Sequence, residues 1–195
     1  MSYNPKDFYF KKAKKENYAA RSIFKLEEID QKFKIFRPGQ MIFDLGASPG
    51  SWSQYACQKI GDKGRLLGVD LSPVNVKMAN AEFLQADMRD LNLENLLAEK
   101  NFHMFDVVMS DMAPRTTGIR LTDQTRSYEL CMLALDVADR FLKKGGSFIC
   151  KFFHSDDFTQ LRNEIKQRYS KVEVVKPDST RKISKEIFLI GLNKK

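Results

Sequence analysis

DLGASPGSW, residues Asp44–Trp52, is the stretch that decides the fold of this 195-residue chain. It joins a short apolar segment, Met41–Leu45, to a helix-like segment, Ser51–Ile60. A turn of this kind after the first strand is typical of open α/β sheets, whose ligands bind outside the carboxyl ends of the strands. Gly46 and Gly50 permit tight or left-handed backbone geometry that lets a ligand lie against the chain. Because the following helix also offers free backbone N–H groups, the segment predicts a ligand-binding loop.

Strands and helices alternate along the rest of the chain. Short apolar runs predict strands at Met41–Leu45, Arg65–Asp70, Glu82–Ala86, Phe105–Asp111, Ser147–Phe153, Lys171–Lys176 and Glu186–Leu192. Helical periodicity predicts helices at Ala19–Phe33, Ser51–Ile60, Leu91–Lys100, Thr122–Lys144 and Phe158–Tyr169, with Gly145 and Gly146 as turn residues. Tyr3–Glu16 is lysine-rich and is predicted to be irregular. We predict one α/β domain over residues 1–195, with a mostly parallel sheet, a C-terminal antiparallel hairpin and helices on both faces.

The charge balance indicates the kind of partner. Lys and Arg number 33 and Asp and Glu 25, so the net charge is +8, and such an excess attracts polyanions. No apolar run reaches the ~18 residues that a membrane span needs, and no apolar region follows the basic N-terminus as in a signal peptide. We therefore expect a soluble, cytoplasmic, monomeric protein that has a nucleic acid as its leading partner and no membrane partner.

Metal and disulfide chemistry are disfavoured by the residue counts. Cys57, Cys131 and Cys150 are odd in number and widely spaced, which favours reduced thiols in the core. Only two histidines occur, His103 and His154, too few for a zinc site built on several histidine ligands. We expect no metal site.

A basic N-terminal segment, about residues 1–18, is predicted to contact RNA. Its lysines are interleaved with aromatic residues, a pattern that suits phosphate contacts and base stacking. A lysine run is also commonly a solvated tail, but the net charge favours RNA. The predicted RNA-binding residues are Lys6, Lys11, Lys12, Lys14, Lys15 and Arg21, extended by Arg115 and Arg120 on the loop after Asp111.

Acidic residues follow each of the first four strands. They are Asp44, Asp70, Asp87 and Asp111. Asp70 is placed to accept hydrogen bonds from both ribose hydroxyls of a ligand, a geometry shared by NAD and S-adenosylmethionine sites. Asp87 is placed to accept from an adenine amino group, with Met88 against the ring. The NAD alternative is weakened because Ser48 occupies the middle glycine position of GxGxxG, and no P-loop motif is present.

Six segments together resemble the FtsJ (RrmJ) family of ribose 2′-O-methyltransferases. They are DLGASPGSWSQ, VDLSP, FLQADMRD, SDMAP, SFICKFF and STRKISKEIFLI. The resemblance implies a Rossmann-like methyltransferase fold, S-adenosylmethionine as cofactor with S-adenosylhomocysteine as product, and a catalytic tetrad of Lys25, Asp111, Lys151 and Glu186. It also implies a cofactor-binding set of Asp44, Gly46, Ser48, Pro49, Gly50, Trp52, Asp70, Leu71, Asp87, Met88 and Asp111. Thr180, where Ser is common, and Phe188, where Tyr is common, depart from the family pattern without touching the tetrad.

Lys151 also stands out without the resemblance. It lies among Phe148, Ile149, Phe152 and Phe153, where an unpaired charge would be costly to bury, so it should meet a carboxylate or the cleft. The sequence leaves open whether Lys151 removes the hydroxyl proton, the interpretation we favour, or acts as a cation that positions the hydroxyl. Glu186 is expected to hold one lysine in place.

The resemblance implies methylation of a uridine ribose in large-subunit ribosomal RNA, with a tRNA anticodon-loop ribose as the alternative. Methylation of a base amino group is disfavoured because SDMAPR lacks the tandem proline and aromatic residue of such enzymes.

Two functions other than methyl transfer remain as alternatives. An NAD-dependent oxidoreductase is disfavoured by the missing GxGxxG, and a nonenzymatic RNA-binding module is disfavoured by the complete tetrad.

Overall fold

The computed structural model describes residues 8–90, 92–181 and 183–195. These residues form six helices and seven strands. The helices are α1 (Phe8–Lys15), α2 (Ile23–Phe33), α3 (Ser51–Ile60), α4 (Leu93–Glu99), α5 (Arg120–Phe141) and α6 (Phe158–Arg168). The strands are β1 (Met41–Leu45), β2 (Arg65–Asp70), β3 (Ala81–Gln85), β4 (Phe105–Ser110), β5 (Leu142–Phe153), β6 (Tyr169–Val175) and β7 (Glu186–Lys194).

All seven strands belong to one sheet with the order β3-β2-β1-β4-β5-β7-β6. The pairs from β3 through β5 are parallel, whereas β7 runs antiparallel to both β5 and β6. The predicted mostly parallel sheet with a C-terminal antiparallel hairpin is therefore confirmed. The strand order reverses between β1 and β4, and in open sheets this reversal opens a crevice at the carboxyl ends of the strands.

The alternation of side chains divides the core between the two faces of the sheet. Ile42, Ile149 and Phe188 pack on one face against buried residues of α2 and α3. Phe43 and Phe148 pack on the other face, against α4, α5 and α6. Helices thus cover both faces, as predicted. In the part of the chain that the structure describes, we find no helix with the length and apolarity to cross a bilayer.

The N-terminal segment differs from its prediction. Residues 8–15 of the segment predicted to be irregular form the helix α1. A helix this short is marginal in isolation, but Ala13 is buried, the Tyr9 and Phe24 ring centroids are 5.5 Å apart, and the Lys12 ammonium lies 4.3 Å from the Phe24 ring centroid. Contacts with α2 therefore stabilise a helix that local sequence does not favour.

The start of β5 also differs from its prediction. α5 ends at Phe141 and not at Lys144, and β5 continues through both Gly145 and Gly146. Gly145 has a φ of +77°, and the register of β5 against β4 shifts between Phe105 and Val107. The two glycines therefore lie in an irregular strand segment and not in a turn before the strand.

Candidate active site

The loop between β1 and α3 is built on two glycines with left-handed backbone. Gly46 has a φ of +80° and Gly50, the residue before α3, a φ of +111°. A Cβ on Gly46 would lie 2.5 Å from the Met112 Cγ, and one on Gly50 would overlap the Val76 side chain. Both positions are strained for any other residue, so the shape of the loop depends on them. The loop includes Ser48 and Pro49, whose peptide bond is cis.

Asp70 ends β2 and holds the neighbouring loops. Its Oδ2 accepts a hydrogen bond from the Ser48 N–H at 3.0 Å, and its Oδ1 accepts one from the Ser72 N–H at 2.7 Å. Ser48 Oγ also donates to the Pro73 carbonyl at 3.3 Å. Leu71, next to Asp70, is exposed. Asp70 thus lies at the carboxyl edge of the sheet beside the glycine loop.

Asp44 lies in β1, one residue before the end of the strand, as the predicted bounds of this strand imply. It is fully buried, and Ser53 Oγ donates to its Oδ2 at 2.5 Å. Among the described residues its Oδ1 has no hydrogen-bond partner. Burial raises the pKa of Asp44 to about 7, against the lowering effect of Ser53 and with further contributions from the charges of Asp111 and Asp70. Three carboxyl groups therefore share the base of this cleft.

Asp87 follows β3 and is held by its neighbour Arg89. The guanidinium donates from Nε to Oδ1 at 2.9 Å and from Nη2 to Oδ2 at 2.5 Å. The Arg89 side chain and backbone N–H lower the pKa of Asp87 to about 2. Met88 is buried in the core cluster that includes Leu93 and Leu97. The pairing with Arg89, two residues away, is a feature that the sequence analysis missed.

The tetrad forms two ion pairs. Lys25 Nζ lies 2.6 Å from Glu186 Oε1, and their side chains are 12% and 13% exposed. Lys151 Nζ lies 2.9 Å from Asp111 Oδ1, with side-chain exposures of 9% and 18%. Lys151 also donates a hydrogen bond to the Asp111 carbonyl at 2.5 Å. All four groups are therefore largely desolvated while each lysine keeps a carboxylate partner.

The two ion pairs lie on one face of the sheet. In the β5–β7 register Lys151 is opposite Phe188 and Phe153 is opposite Glu186, and the Lys25 ammonium lies 6.0 Å from the Phe188 ring centroid. The Phe188 ring is buried and lies 5.7 Å from the Trp52 ring. Phe188 therefore places an apolar ring between the two ion pairs. It carries no hydroxyl group there, unlike the tyrosine that is common in the family.

Trp52 is part of the core beneath this site. It is buried, and its indole N–H donates to the Ser22 carbonyl at 3.0 Å. The acceptor Ser22 is the residue before α2, and the contact of Trp52 with the cofactor stays a prediction. Trp52 supports the floor of the cleft through Phe188.

A loop before β7 fastens this strand to α2, and the sequence analysis did not predict it. Glu28 accepts hydrogen bonds from the backbone N–H groups of Asp178 and Ser179 at 2.6 and 2.9 Å, and Arg21 donates to the Ser179 carbonyl at 2.5 Å. Thr180, the departure from the family pattern, is buried beside them. No local pattern marks Glu28, because its partners are distant in sequence.

The predicted RNA-binding residues fall into two groups. Lys11, Lys14, Lys15, Arg115 and Arg120 are exposed, although Arg120 is the first residue of α5 and not part of the preceding loop. Lys12 packs over Phe24, and Arg21 is engaged with Ser179, with its guanidinium 5.5 Å from the Tyr9 ring centroid. Lys6 lies outside the described residues.

Comparison with known proteins agrees with this geometry. The chain is 72% identical over 196 residues, with full coverage of both chains, to ribosomal RNA large subunit methyltransferase E of Bdellovibrio bacteriovorus. It is 53% identical over 190 residues to the enzyme of the same name from Nitratidesulfovibrio vulgaris, covering 96% of this chain and 92% of that one.

Solved structures give the same fold. A Plasmodium falciparum ribosomal RNA methyltransferase superposes with a TM-score of 0.82 at 25% identity, over 91% of this chain and 98% of that one. Aeropyrum pernix fibrillarin, solved with bound S-adenosylmethionine, shares the fold at a TM-score of 0.58 and 17% identity, over 80% of this chain and 67% of that one. The family of FtsJ-like methyltransferases matches residues 18–194. The Rossmann-like methyltransferase fold is therefore confirmed, and the chain belongs to the FtsJ-like methyltransferase family.

Proposed function

We propose that this protein transfers a methyl group from S-adenosylmethionine to the 2′-hydroxyl of a uridine ribose in large-subunit ribosomal RNA. The observation that carries the proposal is the pairing of Lys151 with Asp111 and of Lys25 with Glu186 on one face of the sheet. Full-length relatives named as large-subunit enzymes favour ribosomal RNA over the tRNA alternative.

The residues around the glycine loop suit a cationic cofactor. S-adenosylmethionine supplies an electrophilic methyl group on a positively charged sulfonium. Asp70 and Asp111 lie close enough to Asp44 for their charges to raise its pKa. The three carboxyl groups therefore create a negative potential beside the glycine loop. Gly46 and Gly50 keep side chains off the loop surface. The unpartnered Asp44 Oδ1 is an acceptor at the base of the cleft.

Lys151 acts on the substrate hydroxyl in this proposal. An oxygen that attacks a methyl carbon must be aligned with the carbon–sulfur bond, and such alignment can contribute ~7 to 11 kcal/mol. Lys151 is held at two points by Asp111, so its ammonium group has a defined position. An ammonium held in this way orients the hydroxyl and stabilises the developing alkoxide while the proton leaves to water, whereas a neutral Lys151 would take the proton itself. In both cases the carbon–sulfur bond breaks as the oxygen–carbon bond forms, and S-adenosylhomocysteine leaves.

The test is a single-turnover methylation assay on large subunits from a strain that lacks this methylation. We expect Lys151→Ala to reduce the rate at least ~100-fold, the lower end of the contribution of a proton-transfer group, with cofactor affinity unchanged by calorimetry. Arginine stays protonated, so Lys151→Arg should retain part of the activity if lysine positions the hydroxyl and almost none if it removes the proton. Rates like wild type in the alanine variant, with RNA and cofactor bound, would contradict the assignment.

A further inference from the structure

A cavity of about 220 Å³ lies beside Glu186 of the tetrad. Three segments line it: the start of α5, the end of β5 and the residues just before β7. The residues that matter here are Arg120, Asp123, Gln124, Phe153, His154 and Lys185. The His154 N–H donates to the Lys185 carbonyl at 3.0 Å, and Gln124 donates its side-chain amide to the His154 carbonyl at 2.8 Å. Hydrogen bonds therefore tie the three walls together.

The cavity lies close to Lys151, the residue proposed to act on the 2′-hydroxyl. Phe153 pairs with Glu186 in the sheet and follows Lys151 by two residues on the same face of β5. Two residues of a strand span ~7 Å, which is of the order of one nucleotide step along an RNA strand. A strand that places one ribose at Lys151 therefore brings its neighbour to the cavity.

The charge of the walls is positive. Arg120 and Lys185 are exposed cations at the opening. The carboxylate of Asp123 is occupied by the N–H and Oγ1 of Thr117 at 2.8 and 2.9 Å and by the Gly118 N–H at 3.3 Å. These donors keep the pKa of Asp123 below its ordinary value. Within the described ranges neither cation has an ion-pair partner, whereas the one carboxylate of the lining is already hydrogen-bonded, so the opening attracts an anion.

The cavity also presents rings and apolar side chains. The His154 ring stacks on Phe158 with centroids 5.1 Å apart and an interplanar angle of 20°. Exposed Ile119, Leu121 and Ile183 flank the lining segments, at 63%, 75% and 79% exposure. A planar base would extend the His154–Phe158 stack, because every base has a flat face that stacks on an aromatic ring.

We propose that this cavity binds the nucleotide next to the methylated ribose, with its phosphate at Arg120 and Lys185 and its base against His154 and Phe153. The proposal rests on the proposed function, since RNA is the substrate there. The volume is below the ~300 to 1,000 Å³ of pockets for whole drug-sized ligands, which suits a single base.

The first experiment compares variants of exposed residues. Lys185→Ala should weaken RNA binding and reduce the slope of log affinity against log salt by ~0.7, the contribution of one phosphate contact in single-stranded RNA. His154→Ala should raise the KM for RNA ~5- to 150-fold, the range for one stacked base, with kcat within about threefold of wild type because the tetrad is intact. Lys63→Ala is the matched control. Lys63 is an exposed lysine in the turn before β2, at the opposite edge of the sheet.

The second experiment does not depend on methyl transfer. Short single-stranded RNAs that carry 4-thiouridine at one position are photo-cross-linked to the protein, and the modified peptides are identified by mass spectrometry. We expect cross-links to peptides containing Phe153–His154 or Arg120, reduced in His154→Ala.

The outcomes separate the two proposals. If wild type methylates ribosomal RNA but Lys185→Ala and His154→Ala behave like Lys63→Ala and no cross-link reaches the cavity, this subsite is wrong and the proposed function stands. If wild type transfers no methyl group, the proposed function fails, and the cross-links still decide whether the cavity binds RNA.

Discussion

At the residue scale, Asp44 is the most perturbed of the carboxyl groups in the cleft. It combines complete burial, one hydrogen bond from Ser53 and the nearby charges of Asp70 and Asp111. The pKa near 7 means that folding and proton binding are linked at this residue.

This linkage predicts a pH dependence of stability that Asp44→Asn removes. The carboxyl group loses its proton near pH 3.8 when unfolded but near pH 7 when folded, so the folded state binds more protons between these values. The contribution of Asp44 to stability is therefore complete below about pH 4 and is lost as the pH rises through 7. Relative to Asp44→Asn, the free energy of unfolding of the wild type should fall by ~4 kcal/mol at most across this range.

Urea denaturation of both cofactor-free proteins at several pH values measures this difference. Asp62→Asn, which changes an exposed carboxylate, should follow the wild type. Parallel pH profiles for wild type and Asp44→Asn would show that Asp44 titrates alike in both states and would contradict the prediction.

At the element scale, α1 has two distinct faces. Ala13 is buried and Tyr9 packs on Phe24, whereas Lys11, Lys14 and Lys15 remain exposed. The helix therefore belongs to the fold through one face and offers three lysine charges on the other. Lys12 is not part of the exposed set, because its ammonium lies over the Phe24 ring.

Substitutions on the two faces of α1 should have different effects. Replacing Lys11, Lys14 and Lys15 together by Ala should reduce the salt slope of RNA binding by ~2, or ~0.7 for each lysine that contacts a phosphate, with little change in Tm. Ala13→Asp should cost ~1 to 3 kcal/mol of stability because it places a charge against α2. Fluorescence anisotropy at several salt concentrations and thermal denaturation measure the two effects. An unchanged salt slope in the triple variant would mean that these lysines are only solvated.

At the scale of the whole molecule, the last strand lies inside the sheet and not at its edge. β7 runs between β5 and β6 and begins at Glu186 of the tetrad. At its other end, Lys194 Nζ donates to the carbonyls of Ala138, Asp139 and Leu142 at 2.8, 2.7 and 2.9 Å. These carbonyls lie where α5 ends and β5 begins. Lys194 therefore fastens the strand that carries Glu186 to the element that leads into Lys151.

Lys194→Met should destabilise the protein by ~1.5 to 3 kcal/mol, the range for hydrogen bonds to a charged group. Lys195→Met is the control, because Lys195 is exposed and its ammonium donates to the carbonyls of Lys166 and Gln167 at the end of α6. The free energy of unfolding from urea denaturation measures both. Equal effects of the two substitutions would argue against a special role for Lys194.

The sequence by itself determined the α/β fold, the ligand loop and the partner that Lys151 requires. These conclusions depend on local signals: apolar runs that predict strands, glycines that permit left-handed backbone, and a lysine among apolar residues that needs a carboxylate. For Lys25 and Glu186 the residues alone indicated ordinary surface positions, and only the family resemblance selected them. Their ion pair joins the two ends of the chain, so no local pattern marks it.

Only the tertiary structure decided which charges remain available and which are used in the fold. It folded part of the lysine-rich segment as α1, gave the Trp52 indole N–H a partner in the Ser22 carbonyl, and paired the Arg21 guanidinium with the Ser179 carbonyl. It also brought the start of α5, the end of β5 and the segment before β7 around one cavity. The physical reason is that burial and hydrogen bonding depend on neighbours from distant parts of the chain, which local sequence patterns do not specify.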